Sequence, residues 1–517
     1  MQQTDLILSP EEAFYEETVL KKAASAAGVN FHDITDFRIE RKSVDARKKQ
    51  ILINMRVALF FNGEKPESIS KSYQYGDVSK RPAVVVVGTG PAGLFAALRL
   101  IELGFKPIVL ERGKNVTDRK RDIAALNTKQ ILDEDSNYCF GEGGAGTFSD
   151  GKLYTRSDKR GNISRILEIF HLHGAADNIL YEARPHIGTD KLPKIVSNMR
   201  QRILDSGGEV HFSTKMTDIK ISDGKVTSVL THDGKEFQAE AVILATGHSA
   251  EDVYKLLKDK KIKLEPKGFA MGVRVEHPRE MIDSIFYHNA DTTYLPSASY
   301  SLVSQVKERG VYSFCMCPGG QIVPSATQKG YNLVNGMSAA ARRNYWSNAG
   351  IVVEIRPEDF LNFNPENPLC GLEYQKEVER LTFINGGSSQ KAPAQRLTDF
   401  IKGRISGTLA ESSYVPGLVS SPVHFWLPDF ISSRLREGFK EFDKRMKGFV
   451  SEEAMILASE TRTSSPVRIV RDENSMSCLN VKNLFPCGEG AGYAGGIVSS
   501  AMDGEKAAEA VKKFFEL

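Results

Sequence analysis

Six consecutive residues, Gly88-Thr89-Gly90-Pro91-Ala92-Gly93, have the types and spacing to grip a diphosphate. In such a turn the first glycine permits a tight bend, the second lets backbone approach a pyrophosphate, and the third lets a helix close onto a strand. Gly88, Gly90 and Gly93 take those places, and Pro91 and Ala92 open the helix. Its unpaired first-turn amides and partial positive charge then face the phosphates. Glu111 stands 18 residues past Gly93, close to the roughly 20 that puts a carboxylate on an adenosine ribose. An acid there favours a free 2′-hydroxyl, hence FAD or NAD rather than NADP.

Other residues offer chemistry with two readings each. Cys315 and Cys317 form a C-x-C followed by Pro318-Gly319-Gly320. They are either redox or nucleophilic thiols, or two side chains that share one face of a strand and pack. Arg462 and Arg468 flank Ser464-Ser465-Pro466. They either bind an anionic group of a substrate or form ion pairs. Arg396 and His424 are of the same sort, and His424 beside Phe425 and Trp426 also suits a packed histidine. His171 and His173 end an apolar helix, where imidazoles need no metal to explain them. The six cysteines are scattered and show neither a disulfide framework nor zinc-ligand spacing, so no metal is expected.

These residues need elements to hold them. AVVVV before Gly88 is a continuous apolar run, as in a parallel strand buried on both faces. Residues 94–103 read as a helix, apolar along Leu94, Ala97, Leu98 and Ile101, and Gly104 ends it. Residues 107–110 form the next strand and lead to Glu111. Upstream, residues 5–8, a helix starting at Glu11 and Glu12 and running to Gly28, and strands at 34–39 and 50–61 make a β-α-β-β pattern. Gly63, Pro66 and the polar stretch to Lys80 close this unit. The basic run at residues 41–49 suits a solvated hairpin connection better than a nucleic-acid face, because the charge elsewhere does not support one. From about 266 to 448, helical periodicity is weak, and Gly and Pro punctuate short runs such as GVYSFCM and GIVVEI, the mark of β structure.

The chain has 517 residues, 41% hydrophobic and 26% charged, with a formal charge of +3. That length suggests two or three domains, and the small charge gives no electrostatic drive toward nucleic acid or membranes. The polar, acidic start lacks the flank and core of a secretory signal. No apolar run of about 18 residues exists to span a bilayer. A cytoplasmic protein is expected.

Two further stretches separate FAD from NAD. AVILATGHS (residues 241–249) resembles the segment of two-dinucleotide-fold flavoproteins that returns to the pyrophosphate, here at Thr246 and Gly247. LFPCGEGAGYAGGIVSSAMDGEKAAEAV (residues 484–511) resembles the C-terminal FAD motif of the glutathione-reductase-like superfamily. The resemblance implies that the acid after Gly488 bonds the ribityl chain; it is Glu489, where the superfamily has Asp. It also implies a helix from Gly496 and Ile497 whose N-terminus faces the flavin pyrimidine. Its dipole favours a reduced, anionic flavin. Arg112 and Arg119 look like the stretch that helps hold the pyrophosphate. GEGGAGTFSDGKL, with Gly143, Gly144 and Ala145, looks like the loop that passes the flavin. Met216 takes the place of the residue whose backbone contacts adenine. With FCMCPGG, NGMS and ETRTSSPVRI, the whole chain resembles the bacterial family of uncharacterised FAD-dependent dehydrogenases.

The expected fold is α/β: a Rossmann-type FAD-binding domain (81–265 and 453–517), an inserted β-rich α+β substrate domain (266–452) and a small N-terminal α+β module (1–80). The expected activity is that of an FAD-dependent oxidoreductase, with non-covalent FAD exchanging a hydride with a small organic substrate. Only one complete turn-strand-acid unit is present, so NAD(P)H is expected at most as a transient donor. The alternative is a flavoprotein whose N-terminal module binds RNA or a protein partner. A single-Rossmann NAD protein is disfavoured by Glu489 and the glycines around it.

Overall fold

Two segments about 400 residues apart in sequence meet in one parallel sheet. The computed structural model describes residues 1–65, 73–155, 161–361 and 366–516; Pro66 lies outside them. The sheet has five strands in the order Leu484–Pro486, Val242–Leu244, Ala83–Val87, Lys106–Leu110, Glu209–His211, all parallel. The central valines Val84, Val85 and Val86 are fully buried, as the unbroken apolar run requires. Helix Pro91–Glu102 follows the glycine turn, and helix Ile497–Phe515 closes the chain. These two helices pack together so tightly that a Cβ on Gly504 would lie 2.0 Å from the Ala92 carbonyl oxygen.

A second, larger sheet stands beside the first. Its seven strands run in the order Val303–Val306, Arg309–Cys317, Trp346–Ile355, Phe269–Pro278, Met455–Glu460, Ala392–Arg396, Leu418–Ser420. Helix Asp429–Arg445 covers one face, and Val273, Ile351, Leu435 and Phe439 share a fully buried core. Strand Met455–Glu460 corrects the sequence reading, which put it with the Rossmann half. It pairs antiparallel with Phe269–Pro278 and with Ala392–Arg396. A strand buried along its whole length that opens on four apolar residues, Met455 to Ala458, suits either sheet, so nothing local marks its owner. The chain leaves the Rossmann half through Leu264–Pro266 and returns through Val467–Ile469. These two crossings pair antiparallel with each other.

The N-terminal unit is a three-stranded antiparallel sheet, Gln2–Leu8, Leu52–Phe61 and Ile34–Asp45 in spatial order, with helix Glu16–Ala27 on one face. Leu6, Leu8, Val19, Ala23, Val57 and Leu59 form its core. The helix starts later than Glu11 and Glu12 suggest. Ser9 and Glu12 bond each other's backbone amide through their side chains, and this closed turn occupies the residues before Tyr15. The unit touches both large halves. The Lys42 amide donates to the Tyr181 carbonyl and the Ala183 amide to the Lys42 carbonyl. On the other side, His288 bonds the Ala46 carbonyl at 3.2 Å, and Ile51 enters the core of the seven-stranded half.

Two tests follow from this packing. Gly504→Val forces backbone apart where helices touch, and overpacking of this kind costs about 1–3 kcal/mol; urea unfolding should show a loss in that range. His277 is fully buried, with Nε2 on the Phe449 carbonyl. Burial pulls its imidazole down to about 4, whereas the unfolded chain binds that proton near 6.5. Between these values the unfolded state holds more protons, so stability falls as pH drops through the window. His277→Gln should flatten that slope in urea midpoints measured from about pH 7 to 4.

Candidate active site

A cavity of about 520 Å³ lies between the two large sheets, walled by both. Its Rossmann wall starts at the glycine turn. Gly88 has φ 105 and donates its amide to the Leu110 carbonyl. Gly90 is the N-cap, and Pro91, which has no amide to lose, is the first helical residue. Gly88, Gly90, Pro91 and Ala92 line the cavity. Gly93 does not. A Cβ there would lie 1.9 Å from the Gly88 carbonyl oxygen, so its part is to let the helix close on the turn.

Glu111 is buried beneath this turn and organises it. One carboxylate oxygen accepts from the amide and hydroxyl of Thr89 at 2.9 and 2.6 Å. The other accepts from the amides of Gly113 and Gly141 at 2.9 and 3.0 Å. Two oxygens with four donors fill the lone-pair sites of a carboxylate. Arg112 lines the cavity and pairs with Asp252 at 2.7 Å.

Arg119 departs from expectation: it is fully buried and does not reach the cavity. Its guanidinium donates to the carbonyls of Asn137, Tyr138, Gly141 and Glu142 at 2.8 to 3.2 Å. It thereby folds the loop that carries Gly144 and Ala145 to the cavity wall. Burial pulls this guanidinium down to about 10. Gly143 also stays behind the wall, because a Cβ there would meet the Thr147 hydroxyl; it sits in a small neighbouring void with Pro91 and Ile497. Met216, Thr246 and Gly247 line the cavity.

The C-terminal segment supplies the wall next to the turn. Gly488, Glu489, Gly496 and Ile497 all line it. Gly496 is the N-cap of helix Ile497–Phe515, so two helix N-termini open onto one cavity. Glu489 faces His248, with 3.4 Å between Oε1 and Nδ1. Asp503 escaped the sequence reading. It accepts from the Gly488 amide at 2.8 Å and is clamped by Arg471. Its partner lies 32 residues away, and no short motif joins them.

The opposite wall belongs to the seven-stranded half. Cys315, Asn335, Tyr300 and Arg462 line it. Arg462 is held by Glu379 through two bonds of 2.9 and 2.8 Å and reaches the Thr327 hydroxyl. Arg468 is exposed, faces the Tyr493 ring at 5.5 Å and does not line the cavity. Cys317 is buried behind Cys315. The regular strand expected for the pair is broken here. The register with Trp346–Ile355 shifts between Phe314 and Cys317, and Cys315 takes a left-handed φ of 42.

Lys152, a further cavity residue, places its ammonium 3.9 Å from the Cys315 sulfur. It pairs with Asp150 at 3.0 Å, which is also clamped by Arg342. The Cys315 thiol lies well below its ordinary value, chiefly because Cys317 donates to it, with Lys152 and Arg274 adding to the effect. Arg274 is fully buried against Glu460 at 2.7 Å and also reaches Asn348 and Asn335.

The remaining singled-out residues are structural. Arg396 bonds the Thr408 and Glu452 carbonyls, His424 bonds Gln395, and His171 pairs with Asp177. Among the described residues no group of three metal-ligating side chains converges. No helix among them is long and apolar enough to cross a membrane.

Comparison with known proteins places the chain among FAD-dependent proteins. Residues 268–463 match the family described as FAD-dependent protein, C-terminal domain-like, and residues 191–313 match FAD dependent oxidoreductase. A protein of Clostridium beijerinckii, described as uncharacterized, is 42% identical over 517 residues, covering 96% of each chain. The chain belongs to an FAD-dependent oxidoreductase family. It is a redox enzyme, and FAD is its cofactor. Residues 1–60 of this oxidoreductase match a domain of unknown function. It is also 26% identical to a thiamine thiazole synthase of Aeropyrum pernix over 203 residues, 36% of this chain and 63% of that protein. A flavoprotein/dehydrogenase from Cytophaga hutchinsonii aligns over 84% of this chain and 79% of its own, with TM-score 0.37 and 11% identity.

Arg119→Met would leave the Asn137 and Tyr138 carbonyls without a donor, while the Gly141 and Glu142 carbonyls keep the Gly144 amide and the Thr147 hydroxyl. Each such loss costs about 1–3 kcal/mol before relaxation, so a drop of about 3 kcal/mol is expected by urea titration, with weaker FAD retention in the folded fraction.

Proposed function

We propose that the enzyme holds FAD along the Rossmann wall and exchanges a hydride between it and a small organic substrate set against the seven-stranded wall. One observation carries this reading: a single cavity joins both helix N-termini to the side chains of the other half. Its volume lies within the ordinary range for ligand sites. The glycine lining fits a cofactor laid on backbone. Gly247, Gly495 and Gly496 line the cavity, and a Cβ built on any of them meets nothing within 4 Å.

In this reading the amides at Gly90 and Ala92 face the diphosphate, where the helix dipole favours negative charge. Glu111 keeps the turn in shape, and a ribose hydroxyl takes the place of the Thr89 hydroxyl as its donor. Met216 lies toward the adenine, and Glu489, braced by His248, faces the ribityl chain. These assignments, and membership of the glutathione-reductase-like superfamily, rest on the motifs and on which residues line the cavity. When bound, FAD supplies two-electron redox chemistry, while the protein supplies orientation and electrostatics.

The N-terminus of helix Ile497–Phe515 stabilises negative charge at the pyrimidine end. Lys152 and Arg462 place two cations at the substrate wall, suited to an anionic or carbonyl-bearing substrate. NAD(P)H enters this scheme only as a transient donor. The described residues hold one parallel sheet of the dinucleotide-binding kind, and a small-molecule reaction in the cytoplasm accounts for the features without a nucleic-acid partner.

The purified protein should be yellow and release one FAD per chain on heating. Gly496 has φ 168, extended backbone open to any residue, with free space beside it. Gly496→Val should therefore leave the unfolding midpoint unchanged while filling the cofactor's place. FAD affinity by fluorescence titration should fall about tenfold or more, roughly 1.4 kcal/mol. Full FAD retention in this variant would place the cofactor elsewhere.

A further inference from the structure

Two thiols on the substrate wall have a placement that hydride transfer leaves unused. In a regular strand, residues two apart are separated by about 6.6 Å along the chain. Here the bulge after Phe314 and the left-handed Cys315 break that spacing. Cys315 faces the cavity and Cys317 is fully buried behind it, its sulfur folded back to 3.3 Å from the Cys315 carbonyl oxygen.

Each sulfur has a cation 3.9 Å away, and exposure to the cavity separates the two. Cys315 has the Lys152 ammonium, fixed in turn by Asp150, while the buried Cys317 has the Arg274 guanidinium, fixed by Glu460. A cation beside a cavity-facing sulfur favours its thiolate, the form that attacks. A second thiol directly behind the first is the arrangement of an attacking and a resolving cysteine. By contrast, burial among apolar neighbours pushes the thiols of Cys478 and Cys487 up and keeps them inert.

We propose that Cys315 and Cys317 form a dithiol/disulfide couple that exchanges two electrons with FAD bound in the same cavity. This rests on the cofactor placement proposed above. On oxidation, a bond forms between the two sulfurs and the S–H bond of Cys317 breaks. Two electrons and that one proton pass to the oxidised flavin, which becomes the singly protonated, anionic reduced form. The reverse step opens the disulfide and returns Cys315 as the thiolate beside Lys152. The pair gives the protein a second two-electron store next to the flavin.

The test is an anaerobic dithionite titration of the air-oxidised holoenzyme, with FAD first quantified by heat release. The pair predicts four electrons per FAD, two for the flavin and two for the disulfide. Cys315→Ser and Cys317→Ser should each need only two. A thiol assay under denaturing conditions should find four free thiols before reduction and all six after it. Complete bleaching at two electrons, with six thiols free in both states, overturns the couple. A preparation that releases no FAD overturns the cofactor reading instead, and does so before any titration. Should a serine variant fail to fold, the wild-type electron and thiol counts still decide.

Discussion

The contact between helix Pro91–Glu102 and helix Ile497–Phe515 is the constraint on which the site depends. Gly504 lets the C-terminal helix come against the Ala92 carbonyl, and that approach aligns two helix N-termini on one cavity. Neither helix alone makes a dinucleotide site, because each offers only a few amides and a fraction of a charge. The parallel sheet below them fixes their relative height, with Leu484–Pro486 and Ala83–Val87 both paired to Val242–Leu244. The binding surface is therefore a property of tertiary packing between chain segments from opposite ends of the protein.

Around this frame, charged groups act as joints. Glu111 gathers the amides of Thr89, Gly113 and Gly141; Arg119 gathers four carbonyls of the neighbouring loop. Asp503 and Arg471 brace the Gly488 turn, and Arg274 and Glu460 tie two strands beneath Cys315. Buried charges of this kind add little net stability, but removing one partner is costly. Their effect is to permit one loop geometry and penalise others. The pairing of Leu264–Pro266 with Val467–Ile469 does the same for the crossings, so the inserted half leaves and returns at one place.

What the sequence disclosed follows a physical line. The glycine turn, Thr246, Gly247 and Gly496 could be picked out as parts of one cavity wall because backbone chemistry forces particular residues at particular spacings; Glu111 could be picked out for a ribose, but its four bonds within the protein could not be foreseen. Arg119 was misread because its long side chain reaches inward or outward equally well, and the sequence does not say which. Lys152 lay inside a stretch that had been picked out, but its importance comes from Cys315, 163 residues further on. Arg342 and Asp150 are 192 residues apart, beyond any local pattern. The strand Met455–Glu460 carried its apolar character openly while its sheet stayed hidden, since burial on both faces looks alike in either half. The left-handed turn at Cys315 had no sequence mark at all, because nothing in cysteine demands it.

The N-terminal sheet has a mechanical consequence. It is hydrogen-bonded to the Rossmann half at Tyr181 and Ala183 and to the other half at Ala46 and His288, with Ile51 driven into the second core. It therefore works as a strap across the seam that holds the cavity. Any hinge motion that widens the seam on that side must first break these hydrogen bonds and draw Ile51 out of the second core.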